Sequence, residues 1–418
     1  MPASTTSRNP MIFVLLTVLI DTIGFGIILP VLPKLIMQVA VTDLAGAART
    51  GGFLMVLFAG LQFLFGPLMG NLSDAFGRRP VLLISLVAFG GNYALMGLAP
   101  NVAWLFVGRA LTGIAGAIYA PANAYIADVS TPEKRAQGFG MVGAAFGLGF
   151  VLGPAIGGLL GELGPRAPFF AAAALAGLNF VYGFFVLPES LPVARRRPFS
   201  LARANPLGTL RALQATKNVL PLALAAFVWQ LSFQVYPSTW SYYAIAKFNL
   251  SPRAIGGTLA LSGVSMSIVQ GLLTGRLVKR FGEARTAPLG VTAGMLTFIA
   301  YAFVPESWML YPVLAVGGLA GMAMPSMNAL MSKELGPERQ GELQGGLASL
   351  MGLCSIIGPL SLTQTLSYFT QPGAPVYFPG AAFVLAATLA GVCLTLLLWQ
   401  LRRRHAAPRV GATPLHSP

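Results

Sequence analysis

The sequence predicts an all-helical membrane protein: twelve transmembrane helices in two related, pseudo-symmetric six-helix halves. Three observations lead there: a charge-poor composition, a succession of bilayer-length apolar runs, and an internal repeat. Of 418 residues, 55% are hydrophobic and 9% charged, whereas a soluble domain carries about 25% charged residues and needs them at its surface. The 49 glycines exceed the usual ~7% and suit helices whose backbones approach closely in lipid.

Apolar segments near the ~20 residues a bilayer requires fall at 10–33, 51–73, 80–99, 102–127, 138–161, 167–188, 218–244, 255–278, 286–304, 309–331, 343–365 and 377–400. The first is too long for a signal-peptide core and lacks a small-residue cleavage site, so it reads as a span. Short connections join the spans, apart from a basic central loop at 189–217. The organisation is thus an N-terminal half (1–188), that loop, a C-terminal half (218–402) and a tail (403–418) with no expected fold.

Of the 27 Lys and Arg, 21 fall on the side of the two termini, 5 on the other side, and Arg109 lies within a span. The positive-inside rule therefore puts both termini in the cytoplasm. The net charge of +15 is a topology signal and a match to anionic lipid; no nucleic-acid partner is expected. Cys354 and Cys393 sit inside apolar runs as small hydrophobes, so neither a disulfide nor a metal site is expected.

The repeat has one offset, 205. Gly70-Asn71-Leu72-Ser73-Asp74-Ala75-Phe76-Gly77-Arg78-Arg79 matches the stretch starting at Gly275, Asn123 matches Asn328, Gly153-Pro154 matches Gly358-Pro359, and Pro132-Glu133-Lys134 matches Pro337-Glu338-Arg339. Parallel repeats of this kind build transporters whose binding site lies between the halves near the membrane midplane.

Four constellations carry mechanism. In the loop after the second span, Gly70 and Gly77 allow a tight turn, and Asp74, Arg78 and Arg79 place opposite charges at one rim. Asp128, at the end of the fourth span, is a second partner for Arg78. In the fifth span, Gly149, Gly153, Gly157 and Gly158 flatten a helix face for close packing, and Pro154 removes a backbone donor. Among the 12 acidic residues, only Asp21 lies deep in a span. A carboxylate there is costly and usually functional. It is expected to carry the proton and to compete with a cationic substrate for it. Arg109 is the one basic residue well inside a span and needs a partner; a direct pair with Asp21, water or backbone carbonyls all remain open. Gln62, Asn92, Tyr119, Gln230, Gln234, Trp240, Gln270 and Asn328 are the candidate substrate-binding polars, with Gln230 and Gln234 on one face at i, i+4. Aromatics plus a few hydrogen-bonding groups suit a bulky planar ligand; an interhelical hydrogen bond is the alternative role for each.

With these motifs the chain resembles the major facilitator superfamily over essentially its whole length. Within it, the chain is similar to the tetracycline-pump branch of the twelve-helix drug–proton antiporters. The resemblance implies that Asp74, Arg78 and Asp128 lock the outward-open state. It implies that the glycine-rich fifth span marks an antiporter, and that Asp21 and Arg109 serve proton coupling. It also implies a monomer in a bacterial inner membrane, driven by the proton gradient, without a cofactor of its own. Any divalent cation would arrive with the substrate. Where that branch carries further membrane acids in its third and ninth helices, this chain has Asn92 and Gly294, which implies one proton per cycle and leaves the cargo open. A proton-coupled exporter or symporter of a metabolite is the other reading. An enzyme is not expected: both histidines, His405 and His416, lie in the tail, and no GxxxxGK[ST] phosphate loop is present.

Overall fold

The computed structural model describes residues 8–115, 119–131, 135–200, 219–335 and 339–406. Those residues form twelve helical rods. They are α1 (Arg8–Ile28), α2 (Leu44–Phe76), α3 (Arg78–Leu98), α4 (Val102–Ala115 and Tyr119–Val129), α5 (Arg135–Gly161), α6 (Ala167–Val186), α7 (Leu220–Phe233 and Val235–Phe248), α8 (Pro252–Phe281), α9 (Glu283–Phe303), α10 (Ser307–Ser332), α11 (Gln340–Thr370) and α12 (Ala381–Ala406). Among the described residues, ten contain a continuous helix long and apolar enough to cross a membrane; α7 is built from two shorter pieces, and the described stretches of α4 are each shorter. Large apolar side chains such as Leu178, Val181 and Phe185 on α6 stand exposed on the outside of the bundle, as lipid contact requires.

Predicted span boundaries hold to a few residues, with one correction. The connection expected between the first two spans is itself largely helical. Pro33 sits in the first turn of a short helix, Leu32–Ala40, where its missing N–H is harmless. The Asp43 carboxylate then caps α2 by accepting the Gly46 N–H at 2.8 Å, so α2 starts at Leu44 rather than residue 51.

The halves meet along two helix pairs, α2 with α11 and α5 with α8. The repeat relates α2 to α8 and α5 to α11, so one pseudo-twofold operation exchanges the two pairs. At the end opposite the termini the halves are sealed. Ser241 Oγ donates to the Leu29 carbonyl at 2.7 Å, and the Arg253 N–H donates to Glu162 Oε1 at 3.1 Å. There Gly158 of α5 faces the backbone of Pro252 and Gly256 on α8 so closely that a Cβ has no room. Towards the terminal, basic end the same helices diverge. A Cβ added at Gly140, Gly143 or Gly147 of α5, or at Gly271 or Gly275 of α8, would meet nothing within 4 Å. Among the described residues, the halves are packed together at one end, and α5 and α8 stand apart at the basic end.

The first part of the central loop folds back onto the N-terminal half. The Arg197 N–H donates to the Asp74 carbonyl at 3.1 Å, and Asn71 Nδ2 donates to the Ser200 carbonyl.

Candidate functional site

The glycines of α5 position the wall that carries Asp21. A Cβ at Gly149 would strike Thr22 and the Leu19 carbonyl; at Gly153, Gly26 and the Ile23 carbonyl; at Gly157, the Ile27 backbone. Three of the predicted motif glycines therefore seat α1 against α5 backbone to backbone, and the fourth, Gly158, seats α8. Pro154 lies inside α5, and its carbonyl faces Gly256. The motif is a packing face that holds both α1 and the other half.

Asp21 opens into a central cavity of about 290 Å³ whose lining includes Phe25, Phe58, Gln62, Asn92, Tyr93, Arg109, Gln234 and Ser355. Asp21 is half-buried, and among the described residues its carboxylate has no ion-pair partner. Arg109 shares the cavity without pairing to Asp21. Its guanidinium carbon lies 5.7 Å from the centre of the Phe58 ring, and its buried Nε has no hydrogen-bond partner among the described residues. Asn92 is buried at the same wall with its Oδ1 similarly unsatisfied. Among the described residues, the cavity thus holds an acid and a guanidinium that are not ion-paired, together with aromatic surface.

The predicted substrate polars divide into three groups. Gln62, Asn92 and Gln234 line the central cavity. Gln230, Gln270 and Asn328 line a separate cavity of about 300 Å³ within the C-terminal half. Trp240 lines neither: it is fully buried in an aromatic cluster with Tyr243, Tyr301 and Phe383, and its indole N–H donates to Thr258 Oγ1 at 2.9 Å. The Tyr119 side chain lies outside the described residues.

The expected shared face of Gln230 and Gln234 does not form. Pro237 cannot donate a hydrogen bond to the Phe233 carbonyl, and its ring crowds that oxygen. The helix breaks there, with Gln234 between its two pieces. Gln230 and Gln234 consequently look into different cavities. Gln234 Nε2 instead donates to Ser355 Oγ at 2.9 Å, and Gly358 lets α11 approach close enough for this.

At the basic rim, the predicted cluster assembles. Arg78 is buried, ion-paired with Asp74, and places Nε 3.2 Å from Asp128 Oδ2 and Nη1 3.1 Å from Ser73 Oγ. Gly70 lies near the basic end of α2, and Gly77 makes the turn at φ +106°, a conformation that favours glycine. Arg79 is half-buried and donates to the Phe184 carbonyl at 2.7 Å.

Sequence reasoning missed Glu189. Its carboxylate accepts the backbone N–H groups of Arg78 (2.8 Å) and Arg79 (3.3 Å), capping α3 from across the sequence, and also that of Leu191 (3.0 Å). A Cβ on Gly77 would collide with it. The signal available was an acid directly after the sixth span. Glu189→Gln keeps the size but loses the charge at the positive helix end. It is expected to destabilise the fold by about 1–2 kcal/mol, read as a lower thermal unfolding midpoint of the purified protein.

The repeat places Glu283 at the position of Arg78 and Lys333 at that of Asp128. These two also pair, at 2.8 Å, with the charges reversed. This second pair is more open: the Lys333 side chain is 63% exposed, against 9% for Arg78.

Two six-helix halves, a two-pair interface, closure at one end and a cavity lined by a membrane acid define a transporter of the alternating-access kind. A profile of the Major Facilitator Superfamily matches residues 14–359 and again 222–416, and the chain belongs to that family. It is 39% identical to a tetracycline resistance protein, class C, of Escherichia coli, over 97% of this chain and 100% of that one. It is 28% identical to multidrug resistance protein 2 of Bacillus subtilis strain 168, over 84% of this chain and 87% of that one. The solved structure of the nucleoside transporter NupG, 14% identical, superposes with a TM-score of 0.76 over 94% of this chain and 100% of that one, which establishes the fold. The chain is a multi-pass membrane protein.

Proposed function

We propose that the chain exports small amphipathic organic molecules, tetracycline-like drugs among them, in exchange for protons. The observation that carries this reading is Asp21: a carboxylate with no ion-pair partner among the described residues, in a central cavity with aromatic walls. It holds a proton in one state and faces a cationic substrate in the other, so that each displaces its competitor. Relatives named for tetracycline and multidrug resistance support drugs as the cargo. The 21-to-5 distribution of Lys and Arg supports termini in the cytoplasm of a bacterial inner membrane. The open end then faces the cytoplasm, and the protein is poised to load.

In the cycle, substrate enters from the basic end and releases the proton from Asp21. The Arg78–Asp74–Asp128 cluster, assigned by resemblance to the outward-open state, lies wholly within the N-terminal half and is already assembled here, so its part in the cycle is to brace that half; a proton from outside resets Asp21. Arg109 keeps a fixed positive charge in the cavity that favours proton departure. The protein acts as a monomer and has no cofactor; a divalent cation travels only as the substrate's own chelate.

One observation favours a cargo other than tetracycline. At Gly294, where that branch has an acid, any side chain would strike the Trp229 ring, so an acid there has no room. A cellular metabolite is the alternative cargo. The deciding measurement is substrate-dependent proton release in inverted membrane vesicles, over a panel that includes tetracycline. Release with one or more drugs is expected. No release across the panel overturns the drug reading and leaves the metabolite.

A further inference from the structure

The second cavity is bounded by α7, α8, α10 and α11, and among the described residues no ionisable side chain lines it. Its polar groups are three amides, Gln230, Gln270 and Asn328, and its apolar wall includes three methionines, Met266, Met324 and Met351. Amides hold neutral hydrogen-bonding groups, and flexible thioethers adapt to varied flat apolar surfaces. The buried Asn328 Oδ1 has no partner among the described residues. Two helix irregularities face each other at this place. α8 widens into a π turn at Val269–Leu273, which carries Gln270, and α10 tightens into a 3-10 turn at Gly318–Met322. A Cβ on Gly321 would press on Met266 and Gln270 at 3.0–3.3 Å. Mid-helix departures of this kind recur at functional sites.

The two cavities abut. Gln234 and Ser355 line the central one, while Phe233 and Met351, one and four residues earlier, line the other. The Gln234–Ser355 hydrogen bond therefore stands where one lining gives way to the next. Along α11, which rises from the basic end at about 1.5 Å per residue, Met351 precedes Ser355, so the second cavity lies on the basic side.

We propose that this cavity is a second, charge-free binding site on the path to Asp21. It takes uncharged, planar, amphipathic molecules, or the uncharged face of a drug, before they cross the Gln234–Ser355 bond. The order of the two sites rests on the export direction proposed above; the binding itself does not. Selection by shape and hydrogen bonding is thereby separated from selection by charge, which belongs to the central cavity.

The test uses tetracycline as probe and N-ethylmaleimide alkylation of a Met351→Cys reporter in inverted vesicles, where the buried Cys354 and Cys393 give a low background. Tetracycline is expected to slow alkylation several-fold, equally with Asp21 intact and in the Asp21→Asn background. A Gly140→Cys reporter, at the open end but outside the cavity, should keep its rate. Met324→Trp, which fills the cavity, should abolish the protection and raise the transport KM without changing protons released per drug. Absence of protection at Met351→Cys, protection that vanishes with Asp21→Asn, or equal slowing at Gly140→Cys each overturns the second site. If protection is absent while tetracycline still drives proton release, only the second site falls; if both are absent, the drug reading for tetracycline falls with it.

Discussion

Asp21→Asn is expected to abolish drug-dependent proton release while leaving the protein folded. The change is isosteric and keeps hydrogen-bonding capacity, so the packing of α1 against Gly149, Gly153 and Gly157 is untouched. What is lost is the ability to ionise. A charged side chain at the membrane centre costs about 2.5–3.5 kcal/mol on insertion scales, so the amide is not expected to lower the thermal unfolding midpoint. Binding of a cationic drug should weaken by the value of one charge-assisted contact, about 1.5–3 kcal/mol, or roughly 10- to 100-fold. Measurements of proton release, drug binding and thermal midpoint on one preparation separate these effects. Full proton-coupled efflux in the variant would remove Asp21 from the coupling mechanism.

Gly157→Leu is expected to have the largest structural effect. The contact at Gly157 is with the backbone of Ile27, including its Cα at 2.8 Å from the position of an added Cβ. Backbone cannot rotate away as a side chain can. α1 must shift outward, and with it Asp21 and the Leu29 carbonyl that Ser241 grips at the closed end. Overpacking of this kind costs typically 1–3 kcal/mol and more where backbone is displaced. Transport should fall to background, together with the thermal midpoint and the folded yield. Gly147→Leu is the matched control on the same helix. Its added Cβ meets nothing within 4 Å, so a stability change within about 0.5 kcal/mol is expected. Equal midpoints for the two variants would show that the α1–α5 contact is not what the glycines serve.

The parts of this architecture that repeat or depend on composition were legible in the sequence. The spans follow from hydropathy, the halves from the 205 offset, and the Arg78 cluster from opposite charges at one loop. Asp21 stood out because a deep acid is rare. What escaped were consequences of tertiary contact. Pro237 is visible in the sequence, but that its crowding of Phe233 would send Gln230 and Gln234 into different cavities depends on where α11 approaches. Trp240 resembled a cavity aromatic; only its partners on α9 and α12 reveal it as core. Glu189 reads as a loop acid until the chain brings it to the first turn of α3. Arg109 was expected to need a partner. It shares its cavity with Asp21 and has Phe58 beneath it, which sequence spacing could not establish.

The reversed pair, Arg78–Asp128 in one half and Glu283–Lys333 in the other, bears on how the two halves diverged. At the first turn of a helix an arginine faces the positive end of the dipole and a glutamate complements it. The first half compensates with Glu189, borrowed from the central loop; in the second half Glu283 itself complements the dipole, and among the described residues a Cβ on Gly282 would meet nothing within 4 Å. A direct exchange of one charge for the other at either position passes through a like-charged pair. That intermediate is tolerable where the pair is solvated and damaging where it is buried. The exposed second pair is therefore the one at which either charge can be changed at the lower cost, and the buried first pair, tied to its loop, is the one at which a change costs most.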